Sequence, residues 1–453
     1  MSMKKQRKEI NMITDHPGRS LLLFALPMIL GNLFQQFYNI IDSVVVGRFV
    51  GEEALASVGA SFSITNVFIA IAVGGGIGSS VVVSQFLGAK QTGNMKTAIS
   101  TTLINFLTIG VILGGLGLVF NDRILILMNT PSNVFDQAAV YLSIYFIGLP
   151  FLFMYNVQAA VFQSLGDSKT PLYLLLFSSL LNIVLDLVFV TQFHKGVSGV
   201  AIATLIAQGL SAVLSFSVLI RRLKSYETTE LFHIYDWKMT VHMMGVAIPS
   251  TLQQSIVHIG MLLVQSVVNG FGSAVMAGFA AGTRIESICI VPMLALGNAM
   301  STYTAQNMGA KKTDRIKKGY GVCCMMAAVF AVIICIIMGG FGEIFIRSFL
   351  NESSVSEAFS TGISYVHFIS FFYIFIGLKA ITDGLLRGAG DVVVFTAANL
   401  VNLAIRVSGA ALLAPVIGVQ AVWFAVPIGW TANYIISLIR YLTGKWERIH
   451  LIS

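Results

Sequence analysis

Long apolar stretches separated by short polar segments fill most of this chain. A helix that crosses a bilayer needs roughly 20 apolar residues, and these stretches reach that length. They are apolar on all sides, whereas the strands of a membrane barrel would alternate over about ten residues, so helices are predicted throughout. The pattern predicts twelve spanning helices, at 20–46, 54–83, 97–120, 138–164, 171–193, 197–220, 243–268, 275–303, 319–346, 358–384, 392–414 and 417–443.

Composition supports a membrane protein and excludes an ordinary soluble one. The 453 residues are 56% hydrophobic and only 11% charged, whereas a soluble domain carries about 25% charged residues. So few charges cannot cover a water-facing surface, so most of the outside must face lipid. The chain contains no Walker lysine motif, zinc signature or nucleophile elbow, so we expect no enzyme, no catalytic residue and no cofactor.

The basic residues are distributed unevenly over the predicted loops. If the N-terminus lies in the cytoplasm, the outer segments contain only Arg48, Arg123, Lys195 and Arg347, while many basic residues lie on the inner side. Cytoplasmic loops carry such an excess. We therefore expect a multi-pass protein of the cytoplasmic, or inner, membrane with both termini in the cytoplasm. The net charge of +8 is interpreted as topology and not as nucleic-acid binding.

The chain repeats itself at a nearly constant spacing. Pro27 is followed by a similar proline at Pro249, and "QFLGAK" at 85–90 is followed by "QNMGAK" at 306–311. Each half contains six predicted helices and enters the membrane in the same sense. The fold class is therefore an all-α integral membrane protein with twelve transmembrane helices in two pseudo-symmetric six-helix lobes around a central cavity. The predicted divisions are an N-terminal cytoplasmic segment at 1–19, an N-lobe at 20–222, an interlobe linker at 223–241, a C-lobe at 242–443 and a tail at 444–453.

Two acidic residues lie deep in predicted helices of the first half. Asp42 is in helix 1 and Asp186 in helix 5, with Asn182 one turn before it on the same face. A charged residue at a helix centre costs roughly 2.5–3.5 kcal/mol, so such residues usually face a cavity or a partner. Their oxygens suit a proton or a sodium ion, because removal from water favours the protonated carboxyl. The alternative is a pair of buried carboxyls that only accept hydrogen bonds from neighbours.

Helix 1 carries further polar residues near Asp42. Gln35, Tyr38 and Asp42 share one face, and Asn39 lies one position round from Tyr38. In the sequence repeat, the position in the second half that corresponds to Asp42 is Val264, which has no charge. We therefore infer that cation coupling belongs to the N-terminal half.

Helix 1 also contains Pro27, which breaks a backbone hydrogen bond and permits a kink. Either the helix bends there when Asp42 changes charge, or the kink is static.

Charged residues in the second half have weaker interpretations. Lys379, Asp383 and Arg387 fall at i, i+4 and i+8 on predicted helix 10, which indicates an intrahelical ion pair or a role in handling substrate or protons. Arg284 and Glu286 point in different directions and are interpreted as structural. His258 and His367 are interpreted as core histidines.

The glycine-rich run "GGGIGSS" at 74–80 lies inside a predicted helix and follows no strand. It therefore predicts close helix packing and not a phosphate loop.

Several segments together resemble the multidrug and toxic compound extrusion (MATE) family. They are "LPMILGNLFQQFYNIIDSVVVGRFVGEEALASVGAS" around Asp42, "QSLGDSKTPLYLLLFSSLLNIVLDLVFV" around Asp186, and "GTRIESICIVPMLALGNAMSTYTAQNMGAKKTDRIKKG" in the second half. The resemblance covers essentially the whole chain and points to the bacterial and archaeal branch with an acidic residue in helix 1. That family exports organic cations and other drugs against an inward flow of protons or sodium ions.

The resemblance implies roles for individual residues. It makes Asp42 the coupling carboxylate of helix 1, and it makes Pro27 the bending proline. It implies that a cation, H+ or Na+, is held by Asp42, Asn182, Asp186 and Thr204, and that Gln35, Tyr38, Asn39, Tyr141 and Asn156 lie in the cavity that binds substrate. Some relatives carry a coupling carboxylate in helix 7, but helix 7 of this chain has no acidic residue, so a sodium site of that type is not predicted. Asp383 matches an acidic position in those relatives, although Lys379 could neutralise it.

The resulting prediction is a secondary active multidrug efflux antiporter. It would export small organic, often cationic, compounds in exchange for protons or sodium ions by alternating access, and so contribute to drug resistance. We expect a monomer in membrane lipid without nucleic acid. The alternative is a lipid-linked precursor flippase of the same superfamily, which is disfavoured because its cavity should be strongly cationic.

Overall fold

The fold is almost entirely helical in the residues that the structure, a computed structural model, describes: 11–226, 230–350, 356–449 and 451–452. The basic residues Lys4, Lys5, Arg7 and Lys8 of the predicted N-terminal segment lie outside this range. Apolar side chains without polar alternation favour helices in lipid, because a helix pairs its backbone groups internally.

Fourteen α-helices make up the part of the chain that the structure describes. They are α1 (Pro17–Val45), α2 (Glu52–Gly88), α3 (Thr92–Leu127), α4 (Ser132–Ser164), α5 (Lys169–Leu187), α6 (Gly196–Lys224), α7 (Trp237–Asn269), α8 (Ser273–Cys289), α9 (Val291–Gly309), α10 (Thr313–Phe349), α11 (Ser356–Ser370), α12 (Tyr373–Ala389), α13 (Val392–Ile417) and α14 (Gln420–Leu442).

The fourteen helices correspond to the twelve predicted spans, because two of the spans are each divided into two helices. The eighth span contains α8 and α9, which meet just before Pro292, where a backbone N–H is missing. The tenth contains α11 and α12, which bend by 53° at a short break. Within the described ranges, eleven stretches are long and apolar enough to span a bilayer, and the bent pair makes twelve. The prediction of a twelve-helix membrane protein is confirmed, although these breaks were not predicted.

The sequence repeat is visible in the backbone. Lys90 and Lys311, the last residues of "QFLGAK" and "QNMGAK", both adopt left-handed conformations, with φ of 60° and 56°. Such φ values are uncommon for residues other than glycine. The next helices, α3 and α10, begin two residues later in both halves. Duplicated segments therefore end one helix and begin the next with the same unusual turn.

The repeated Gly-Asp pairs also have matching structures. Asp167 accepts an ion-paired hydrogen bond from Arg222 Nη1 at 2.8 Å, and Asp391 accepts one from Arg440 Nε at 2.5 Å. Each arginine lies near the end of the last helix of its half, α6 or α14. Each half thus ties the loop before its fifth span to the end of its sixth.

Contacts divide the chain into two compact units whose boundaries lie inside helices. One unit is Leu30–Thr251, and the other contains the chain up to Ile29 and from Leu252 onward. The divisions in α1 and α7 lie two residues after Pro27 and Pro249. The first part of α1 therefore belongs with the C-terminal helices, and the first part of α7 with the N-terminal ones. The lobes at 20–222 and 242–443 follow the sequence repeat and stay a prediction.

Each unit holds a non-helical segment that precedes one of these shared helices. In the unit Leu30–Thr251, the backbone N–H of His233 donates to Thr97 Oγ1 at 3.0 Å and that of Asp236 to Thr101 Oγ1 at 3.1 Å. In the other unit, Arg315 Nη2 donates to the carbonyl of Asp15 at 2.6 Å. The described residues 230–236 of the linker and 11–16 before α1 are thus held by side chains of α3 and α10.

Glycine permits close helix packing in both units. In α2, a Cβ at Gly74 would lie 2.5 Å from the Cα of Thr251, so the predicted packing role of the run at 74–80 is confirmed. In α12, a Cβ at Gly384 would collide with the carbonyl oxygen of Gly297 in α9. The backbones of α9 and α12 approach so closely only because neither residue has a side chain.

Gly384→Ala tests this close approach. The added methyl group meets a backbone carbonyl that cannot rotate away, so we expect a loss of about 1–3 kcal/mol of stability. The measurement is the midpoint of thermal denaturation of the purified protein in detergent. Gly321→Ala in α10 is the control, because a Cβ at Gly321 meets nothing within 4 Å. An equal midpoint for the two variants would contradict the packing account.

Candidate functional site

The four residues predicted to hold a cation come together in the unit Leu30–Thr251. Asp42 comes from α1, Asn182 and Asp186 from α5, and Thr204 from α6. With the Asn182 amide oriented to satisfy its neighbours, its nitrogen donates to Asp186 Oδ2 at 3.0 Å and its oxygen accepts from Thr204 Oγ1 at 3.3 Å. Asn182 therefore connects α5 to α6 and fixes the carboxyl of Asp186.

The two carboxyl groups form a pair. Asp42 and Asp186 lie within hydrogen-bonding reach of each other, and Asp186 is fully buried. Each has a buried Oδ1 with no hydrogen-bond partner in the part of the chain that the structure describes. Two carboxylates this close repel when both are ionised, and a shared proton or cation removes the repulsion. Chemically, the pair can take up and release one small positive charge.

Two tyrosines flank the pair. Tyr38 Oη lies 2.5 Å from the amide of Asn182, which connects α1 to α5. Tyr141 of α4 and Thr204 line a small cavity together with Tyr145 and Gln208. Tyr145 and Gln208 are not among the residues predicted from the sequence. Each lies four residues after a predicted site residue, so helical spacing could have identified both.

A change in helix geometry follows each carboxylate. After α1 the chain forms a π-helical turn at Val46–Val50, and after α5 it forms another at Val188–Gln192. Val46 and Val190, one from each turn, belong to the same buried apolar cluster. π-turns are rare and often occur at functional sites. The two helices that carry the pair are therefore irregular immediately beyond it and are packed together there.

Three predicted cavity residues lie apart from this cluster. Gln35 and Asn39 of α1 are exposed, and in the described ranges neither donates to nor accepts from the two carboxyls. Asn156 donates to the carbonyl of Leu152 in its own helix at 2.8 Å. Their place in a substrate cavity stays a prediction, as does bending at Pro27.

The predicted intrahelical ion pair of α12 is confirmed. Lys379 Nζ donates to Asp383 Oδ2 at 3.1 Å, and both side chains are buried. Asn399 Nδ2 and Ser437 Oγ donate to the same carboxylate, at 3.1 and 2.9 Å. Asp383 is therefore held by neighbours on three sides.

The remaining candidates of the second half have different environments. Glu286 is buried and accepts a hydrogen bond from Tyr365 at 2.5 Å, as a structural role predicts. Arg284 is exposed on α8. The expectation of two core histidines is wrong for His258, which is exposed on α7, and His367 has a buried Nε2 without a partner among the described residues.

A family model matches the chain twice. The MatE model matches residues 27–188 and 249–412. The two matches begin at Pro27 and Pro249, the prolines that mark the sequence repeat. The match covers more than half of the chain and supports the duplication independently of the backbone.

Named relatives extend over nearly the whole chain. The probable multidrug resistance protein YpnP of Bacillus subtilis is 29% identical over 437 residues, which are 96% of this chain and 97% of the relative. The probable multidrug resistance protein YoeA of the same organism is 29% identical over 94% of this chain and 89% of its own. The crystal structure of MATE in complex with MaL6 matches with a TM-score of 0.89 at 23% identity, over 97% of this chain and 98% of that one. At that identity the match shows the fold.

The paired carboxyls predict a pH-dependent stability. As pH rises the pair loses its shared proton, the two charges repel, and the folded state loses stability. Asp186→Asn removes one of the two charges. Between low and high pH, its free energy of unfolding should therefore fall by about 0.5–3 kcal/mol less than that of the unmutated protein. Thermal denaturation in sodium-free buffer, from about pH 5 to pH 9, measures this difference. The control is Asp122→Asn, which removes an exposed carboxylate of α3. Parallel pH profiles for all three proteins would argue against a close carboxyl pair.

Proposed function

The chain belongs to the MatE family of multi-pass membrane transporters, and we propose that it is a secondary active multidrug efflux antiporter. As a member of a transporter family, it is a transporter and not an enzyme. The proposed activity is export of small organic, often cationic, compounds in exchange for protons or sodium ions. The observation that carries it is the pair of Asp42 and Asp186, with one unpartnered oxygen on each carboxyl in the described part of the chain.

The pair supplies what an antiporter needs at its coupling site. It can hold one cation when the site faces one side of the membrane and release it when the site faces the other. Asn182 turns its amide nitrogen toward Asp186 and its oxygen toward Thr204 Oγ1, so among the described residues the ligands open to a cation are the free Oδ1 atoms of Asp42 and Asp186. Oxygen ligands suit a sodium ion, and the same carboxyls can share a proton, so both ions remain candidates for the coupling ion.

The energy of cation entry is sufficient for export of a neutral compound. One elementary charge that crosses a potential of 100 mV releases about 2.3 kcal/mol. A concentration ratio of ten costs about 1.4 kcal/mol, so one cation supports more than a ten-fold gradient of a neutral compound. In the proposed cycle, substrate and cation bind in alternation, and α1 rearranges at Pro27 when the charge of Asp42 changes.

The names of the relatives support the substrate class. YpnP and YoeA are named as probable multidrug resistance proteins, and nothing in these comparisons favours the lipid-linked precursor flippase. We further propose that the protein lies in the cytoplasmic membrane with both termini inside, as the basic loops indicate. It would bind drug-like molecules as a monomer surrounded by lipid.

Asp42→Asn tests the proposed mechanism. The amide keeps the size of the side chain and resembles the protonated carboxyl, but it cannot gain or lose a proton, so gradient-driven efflux should fall to the level of protein-free liposomes. The measurement is efflux of rhodamine 6G from proteoliposomes under an imposed pH gradient and, separately, an imposed sodium gradient. Efflux that follows only one gradient identifies the coupling ion. Asp122→Asn is the matched control and should transport normally. Unchanged efflux by Asp42→Asn would rule out the coupling role.

A further inference from the structure

Arg387 is a buried cation whose hydrogen bonds all go to neutral groups. It lies on α12 and is 5% exposed. Its Nε donates to Ser301 Oγ at 3.2 Å, its Nη2 to Asn298 Oδ1 at 2.9 Å and its Nη1 to Gln253 Oε1 at 3.5 Å. No carboxylate of the described residues lies within ion-pairing distance of its guanidinium, and the always-protonated side chain keeps its charge.

The neighbouring carboxylate is already occupied. Asp383 lies one turn before Arg387, but Lys379, Asn399 and Ser437 bond to its two oxygens. Lys379 and Arg387 carry two positive charges and Asp383 one negative charge, so this buried group has an excess of one positive charge. A buried charge without a counter-charge is costly, and proteins normally provide one.

The missing counter-charge can come from a ligand. We propose that Arg387, Asn298 and Gln253 form a subsite for an oxyanion, a carboxylate or phosphate carried by the exported compound. The inference rests on the proposed export function and assigns the residues that would hold the acidic group of an exported compound. A guanidinium presents two parallel N–H donors, and an oxyanion can accept both. Its hydrogen bonds to an oxyanion are stronger than those to neutral amide oxygens.

The geometry leaves the subsite open to exchange of partners. Gln253 and Asn298, which accept from the two Nη atoms, are only half-buried, whereas Ser301 is buried. The bond from Nη1 to Gln253 is at the long limit of a hydrogen bond, at 3.5 Å. An oxyanion that enters from the side of the two amides could therefore replace them while Nε keeps its bond to Ser301.

The subsite is held by the rigid packing of α9 against α12. A Cβ at Gly388, next to Arg387, would collide with the carbonyl oxygen of Ser301. The two backbones are thus fixed in contact at the position of the guanidinium. A site on packed helices holds its donors more precisely than a site on loops.

The repeat shows that this subsite belongs to one half only. The Gly-Asp pairs of the two halves are 224 residues apart, at Asp167 and Asp391, so Arg387 corresponds to Gln163. At the same spacing, Lys379 corresponds to Tyr155 and Asp383 to Ala159. The N-terminal half therefore carries the carboxyl pair and no equivalent of the cationic group.

Two forms of one dye test the subsite. Rhodamine 6G is an ethyl ester with a positive charge, and rhodamine 19 is its free acid, with an added carboxylate. Purified full-length protein in neutral detergent should bind the acid at least as tightly as the ester, as measured by fluorescence anisotropy. In Arg387→Gln, the affinity for the acid relative to the ester should fall about ten-fold or more, the usual strength of a charged hydrogen bond.

A second variant separates recognition from folding. Asn298→Asp places a carboxylate beside Nη2 and provides the missing counter-charge, so it should lower the affinity ratio as much as Arg387→Gln while increasing thermal stability. Arg284→Gln removes an exposed cation of the same unit and should leave the ratio unchanged. If Arg387→Gln does not fold, the result with Asn298→Asp decides.

Three results with the two dyes would overturn the proposal. They are absent or weaker binding of the acid by the unmutated protein, an unchanged ratio in both variants, and an equal fall in Arg284→Gln. Competition by phosphatidylglycerol, but not phosphatidylcholine, would assign the site to a lipid headgroup and so overturn a substrate role. The binding measurements do not depend on Asp42. The subsite proposal and the efflux prediction for Asp42→Asn can therefore be confirmed or contradicted separately.

Discussion

A charged group inside a bilayer has no water to solvate it, so the protein itself must supply its partners. In this chain the constraint is met differently in the two compact units. Asp42 and Asp186 are placed together, which raises their energy unless a proton or cation joins them. Arg387 is placed among neutral amides, which leaves it short of an anion. Glu286 and Asp383, by contrast, receive donors within the fold. The distinction between structural and functional charges is therefore a matter of whether the fold completes the set of partners.

The sequence predicted those parts of the structure that depend on local pattern. Span positions follow from runs of apolar residues, and the duplication follows from spaced motifs that keep the same backbone, such as the turn at Lys90 and Lys311. The pairing of Asp42 with Asp186 could be anticipated because a carboxylate in lipid is conspicuous, and helical spacing places Asn182 beside Asp186. The resemblance to a family added Thr204 and Tyr141 from other helices, which spacing alone could not supply.

Other features depend on contacts between distant residues and could not be predicted. The π-helical turns after Asp42 and Asp186 carry no sequence signal, since their valines would fit an α-helix equally well. The isolation of Arg387 from carboxylates was also hidden, because Asp383 one turn away suggests an ion pair until Lys379 is seen to occupy it. The exposure of His258 likewise depends on which face of α7 packs inward. In each case tertiary packing, not residue type, decides the role.

The boundaries of the units add a further constraint on the two charged sites. α1 and α7 each change unit just after a proline, where the helix lacks a backbone hydrogen bond and bends most readily. Asp42 lies beyond Pro27, in the same unit as Asp186, and Gln253 lies beyond Pro249, in the same unit as Arg387. Each site is thus complete within one unit, so binding there does not require a residue from the other. The parts of α1 and α7 before the prolines carry no residue of the carboxyl pair or of the Arg387 subsite. A helix can therefore bend at Pro27 or Pro249 while the residues of each charged site keep their positions relative to one another.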